Sequence, residues 1–233
     1  MSNTVSQIVS HLLGFLFVIP ALTLHEWAHA YAAYKMGDNT PRMMGRLSLN
    51  PLRHIDPLGT VLMPIFLLVI TGGNFTFGYA KPVPINPRNF SDYRKGMLIT
   101  GIAGPAMNVA LALLSGVIVR GAVGLLLLCY PFMAEAAVSI ADSLIGAVST
   151  FCYLNLVLCF FNLIPIPPFD GSRVVQRFLH GRARQLYNQM ERYGIYIVMA
   201  LVWVLPTLVG FDPLEFYFKY TAGIIHLFLT GGW

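Results

Sequence analysis

The stretch TLHEWAHAYAAYKMG, Thr23 to Gly37, holds three residues whose types and spacing suit metal-assisted hydrolysis: His25, Glu26 and His29. Residues four apart on a helix share a face, so the two imidazoles can hold one ion. Glu26 is turned from His25 by about 100° yet stays beside the ion's open position. Two imidazoles and a third protein ligand leave zinc a fourth position for water. Glu26 can take a proton from that water and pass it to a leaving amine. From this chain's own His and Glu frequencies, H-E-x-x-H arises by chance in roughly 0.3% of such sequences. Unpaired in an apolar helix, two histidines and a glutamate would be costly. These residues predict a metal site with Glu26 as general base.

The elements around the motif are apolar. Of 233 residues, 56% are hydrophobic and 11% charged, and the mean hydropathy is +0.66. A soluble domain would carry about a quarter charged residues. The chain reads as an all-α polytopic membrane protein of one domain over residues 1–233, with a catalytic core at 6–175 and C-terminal helices at 193–229. The net charge of +5 lies in loops and is not interleaved with aromatics, which argues against nucleic acid. Cys129, Cys152 and Cys159 lie in apolar runs without C-x-x-C spacing and read as packing residues. Ala28-His29-Ala30 mimics a signal-peptidase site, but no Lys or Arg precedes the apolar stretch, which continues through YAAY, so no cleavage is expected.

About five transmembrane helices are expected, with a re-entrant segment and a β-hairpin. The first helix spans Ser6 to Tyr34. Leu58 to Ile70, interrupted by Pro64, is too short to cross and is expected to re-enter. The glycines and prolines of TGGNFTFGYAKPVPINP suggest the hairpin. A helix runs from Gly96 to Val119, an apolar connection covers 121–139, and another helix covers Ile140 to Leu163. A basic amphipathic stretch precedes two last apolar segments, Tyr193 to Leu208 and Pro213 to Leu229. Thirteen of fifteen Lys and Arg fall between the first two long helices or in the segment after Asp170. If the 58–70 segment re-enters, both groups share a side, and the positive-inside rule makes it cytoplasmic. Trp27 lies eight residues before Lys35, about 12 Å along the helix, so water must reach a buried site.

Two readings are open for Asp170 from its own surroundings. It follows Pro165, Pro167 and Pro168, which forbid regular helix, and unwound backbone at membrane depth suits a wet cavity. It could equally N-cap the helix starting near Ser172. H-E-x-x-H followed by NLIPIPPFDG (Asn162 to Gly171), with GIAGPAMN (Gly101 to Asn108) between, resembles the site-2 protease family of intramembrane zinc metalloproteases. The resemblance covers about residues 15–175, matches a short bacterial and archaeal-type branch without PDZ or CBS domains, and points to a prokaryotic cell membrane. It implies that His25, His29 and Asp170 bind one zinc, that Glu26 is the general base, and that Asn162 hydrogen-bonds the substrate backbone or the developing oxyanion. For Asn108 it leaves a site role and an interhelical hydrogen bond both open. His54, in NPLRHIDPLG, is either a gate near the metal or a structural turn histidine.

The implied activity is endoproteolysis in or near a transmembrane segment of another protein, within the lipid bilayer. The rival is a metal-handling transporter or sensor. A transporter would usually show paired sites or internal repeats, and the chain has neither. A helical substrate must be unwound, and its freed amides need partners. Pro82 and Pro84 blunt one edge of a strand, which would leave the amides of Lys81, Val83 and Ile85 on the other edge to pair with substrate. Alternatively, the prolines merely end a loop.

Overall fold

The computed structural model describes residues 2–70, 78 and 80–233. Helices dominate, and no β-strand occurs among the described residues. The chain divides into two compact units, Met1–Gly104 and Pro105–Trp233.

In the first unit, α1 (Ser2–Lys35) is one helix that runs through Pro20. On it Trp27 stacks on Tyr31, with centroids 5.2 Å apart, and Lys35 Nζ lies 5.4 Å from the Tyr31 ring centre. The chain leaves α1 through Gly37, whose φ of +106° is left-handed. Asp38 follows, wholly buried, and α2 (Thr40–Met43) is a single turn. Asp56 caps a π turn, Pro57–Leu62, by accepting from the amides of Leu58 and Gly59. This turn leads directly into α3 (Met63–Ile70). Pro64 therefore does not interrupt the segment. The change from π to α register coincides with its missing amide. The apolar helix Pro57–Leu67 is too short to cross a membrane.

The expected hairpin is not found. Residues 71–77 and 79 lie outside the described residues. Residues 80–86 form no strand ladder: Pro82 and Pro84 have no donors, and the amides of Lys81, Val83 and Asn86 go to other partners. The Lys81 amide donates to the His54 carbonyl at 2.9 Å. The Asn86 amide donates to Asp38 Oδ2 at 2.7 Å.

Helix α4 (Tyr93–Cys129) begins where Asp92 accepts from the Lys95 amide. It extends well beyond Val119, so much of the expected connection is helix. Its glycines are tolerated because the stretch is apolar throughout, as in membrane helices. In the second unit, α5 (Glu135–Asn162) packs on Pro105–Cys129 of α4. Ala112, Cys152, Leu156 and Ala222 form one buried cluster, and Val119, Leu126 and Ile145 form another. Cys152 donates to the Ala112 carbonyl at 3.3 Å and serves packing, as expected. Arg120 donates to the carbonyls of Leu229 and Phe228, near the last helix's C-terminus, where positive charge is favoured.

After a turn at 163–170 come the short α6 (Gly171–Gln176) and the basic α7 (Gly181–Met190). The last segments are α8 (Gly194–Met199) and α9 (Leu205–Val209), then α10 (Pro213–Phe218) and α11 (Ile224–Thr230), with a π turn inside each pair. The two pairs are bent by 108° to each other, at left-handed Gly210.

Among the described residues, two helices are long and apolar enough to cross a membrane, or three if the bent pair is one span. The expected count of five is not reproduced. Pro57–Leu67 is too short, and the stretches Tyr196–Val209 and Pro213–Thr230 count only together, as a bent pair.

Candidate metal centre

His25 and His29 lie one turn apart on the buried face of α1, 3% and 4% exposed. Their Nε2 atoms are 3.0 Å apart, with rings at 78° to one another. Two imidazoles on a tetrahedral zinc, with bonds of about 2.0–2.1 Å, would hold their nitrogens roughly 3.3 Å apart. His29 Nδ1 lies 2.6 Å from the Thr100 carbonyl oxygen. A carbonyl only accepts, so Nδ1 carries the proton and Nε2 presents its lone pair. Thr100 is fixed in turn, its hydroxyl donating to the Gly96 carbonyl at 2.6 Å.

Gly104 supplies the remaining condition. A Cβ at this position would sit 2.3 Å from His29 Nε2 and 2.5 Å from His25 Nε2. The backbone of α4 thus passes directly against the two nitrogens, and only glycine keeps the space before them open. Two convergent imidazole nitrogens, that of His29 in a fixed tautomer, fit one divalent ion of tetrahedral habit.

Glu26, next to His25, is half-buried. Its Oε2 accepts the Val83 amide at 3.1 Å. The donor that the sequence assigns to a substrate strand is therefore engaged by the proposed base, and the Lys81 donor by His54. His54 is 2% exposed, and its Nε2 lies 2.7 Å from the Ser48 carbonyl. It is a buried part of its own loop's hydrogen bonding, and its carbonyl holds the 80–86 segment.

In the second unit, the 163–170 turn carries Asp170, 8% exposed. Asp170 precedes α6, but its side chain makes no capping bond there. Arg173 Nη1 lies 3.9 Å from its Oδ1. A Cβ on Gly171 would sit 2.3 Å from the Leu163 carbonyl oxygen, which explains the glycine after Asp170. Asn162 ends α5 and donates through Nδ2 to the Leu158 carbonyl at 2.9 Å. Asn108, in α4, is fully buried. Sequence reasoning missed Gly104, Thr100 and Asp38 as individuals. The Gly-Pro pair in GIAGPAMN was the available signal for Gly104.

The family model "Peptidase family M50" matches residues 121–205, which include Asn162 and Asp170. The "Putative zinc metalloprotease YwhC" of Bacillus subtilis is 38% identical over 189 residues, covering 81% of this chain and 78% of that protein. The "Putative zinc metalloprotease Rip2" of Mycolicibacterium smegmatis is 27% identical over 218 residues, covering 91% of this chain and 75% of its own length. Its namesake in Mycobacterium tuberculosis strain H37Rv is also 27% identical, over 213 residues. No solved structure matches the chain significantly. Identity of this depth, over most of both chains, together with the M50 match around Asp170, settles the kinship: the chain belongs to peptidase family M50, the site-2 protease family.

Proposed function

We propose that this protein is a zinc-dependent intramembrane endopeptidase that hydrolyses a peptide bond in or near a transmembrane segment of another membrane protein, from the cytoplasmic side. The observation that carries the reading is the pair of Nε2 atoms of His25 and His29 converging on a space kept open by Gly104, with the Glu26 carboxylate on the next residue. Asp170 completes the ligand set. A buried carboxylate that caps no helix supports that role, and so does the metalloprotease name of the relatives.

Bound zinc would supply Lewis-acid activation of the attacking water and of the scissile carbonyl. The chain's own residues do the rest. Thr100 holds the His29 ring in one tautomer and orientation. Glu26 takes the proton from the attacking water on its carboxylate and delivers it to the leaving amine. Asn162, at the end of α5, offers side-chain polar atoms to the extended substrate backbone. Burial of the histidines excludes bulk water from all but the reacting face.

The test is cleavage of a transmembrane substrate by purified protein, with and without a chelator. Glu26→Gln is expected to keep its zinc and lose turnover by about 10²–10⁴-fold, the usual worth of a general base. Asp170→Ala is expected to lose both metal and activity. Hydrolysis that survives chelation overturns the metalloprotease reading. Full zinc occupancy in Asp170→Ala places the third ligand elsewhere.

A further inference from the structure

We infer that the backbone N–H of Val83 is a positioning group for Glu26, holding one oxygen of the carboxylate so that the other receives the proton. The inference rests on Glu26 being the general base. A glutamate on a helix has three side-chain torsions, and α1's own amides in this region are spent on helical bonds, so the hold on Glu26 must come from outside. The Val83 amide lies 3.1 Å from Oε2. Val83 is only 7% exposed, so little water competes for a bond in which the acceptor is charged. With Oε2 engaged, Oε1 is the oxygen left for proton transfer.

The flanking sequence makes this donor unique. Pro82 and Pro84 have no amides, so a slip of one residue would offer Glu26 nothing. The prolines also fix the local backbone before Glu26 arrives. On either side the segment is pinned, by the Lys81 amide on the His54 carbonyl and by the Asn86 amide on Asp38. Three donors, at positions 81, 83 and 86, thus go to three different elements, and the middle one meets the base. A substrate strand that paired with the Val83 amide would have to take it from Glu26, and the two roles make different kinetic predictions.

The experiment uses a short peptide substrate that is already extended, so that unwinding does not enter. Val83→Pro removes the N–H and gives prolines at 82, 83 and 84. Replacement of Val83 by its α-hydroxy acid turns the same amide into an ester and removes the N–H alone. Both are expected to lower kcat at least about tenfold, with KM changed less than about twofold and zinc content equal to wild type. Val83→Ala keeps the N–H and is expected to restore most of the kcat that Val83→Pro loses. A rise in KM with kcat preserved would assign the amide to substrate pairing and overturn the inference, as would an unchanged kcat. If Val83→Pro fails to fold, the ester variant decides. An active Glu26→Gln protein would mean that the base itself is misassigned, a result that the Val83 variants alone do not produce.

Discussion

Gly104 is where one missing methyl group bears most on the chemistry. Alanine is the better helix former by roughly 0.8–1 kcal/mol, so Gly104→Ala is expected to leave α4 at least as helical as before. Its Cβ would nevertheless fall within 2.5 Å of both imidazole nitrogens, and His29 cannot retreat without breaking its bond to the Thr100 carbonyl. We expect zinc per chain to fall well below one, and activity with it, while circular dichroism stays at the wild-type level. Full metal occupancy in this variant would mean that the helices do not meet at this point. HEWAH was legible in the sequence because four-residue spacing on a helix is enough to pair its histidines. Gly104 was not, because its role exists only when a second helix arrives from about 75 residues away. The Val83 amide was harder still, since a backbone donor carries no residue type to read. Its flanking prolines did reveal which donors remain, though not where they go.

Between the helices, Asp38 ties the exit of α1 to the foot of the 80–86 segment. Its carboxylate accepts from the side chains of Thr40 and Asn89 and from the amides of Asn86 and Thr40. Burial pushes its pKa up, but the hydrogen bonds from Thr40, Asn89 and Asn86 together outweigh it and hold the group below its ordinary 3.8. The folded value lies below the unfolded one, so the stabilisation is present above the unfolded pKa and is lost as pH falls through the lower folded value. Asp38→Asn is expected to cost about 1.5–3 kcal/mol near neutrality, the range for hydrogen bonds to a charged group. It should also show a flatter loss of stability on acidification. Denaturant unfolding in detergent across the acid range checks both, and identical acid limbs in the two proteins would rule out this role. Element ends followed the sequence at Pro213, where Asp212 caps the helix. They departed from it where apolar helix ran on through glycine, as in 121–129, because lipid-facing helix needs no amphipathic signal to continue.

For the chain as a whole, membrane character was plain from composition, whereas the number of crossings was not. Interruptions of helix, set by local register and by Gly210, are invisible to hydropathy. The grouping of thirteen of fifteen positive charges predicts that single cysteines placed in 40–55, 86–95 and 175–190, in a background lacking Cys129, Cys152 and Cys159, all react from the cytoplasmic side. Labelling of 86–95 from the opposite side would make the helical stretch after Asp56 a true crossing. It would also move the histidines' access away from the cytoplasm. Another feature of α1 bears on how such experiments can be followed. Trp27 sits between the two histidines in sequence and stacks on Tyr31 at 5.2 Å and 14°. Of the three tryptophans it alone belongs to HEWAH. The protein thus carries its own fluorophore beside the ion-binding pair. A paramagnetic, visibly absorbing ion such as cobalt in place of zinc would dim that emission, giving metal exchange an optical signature that needs no added dye.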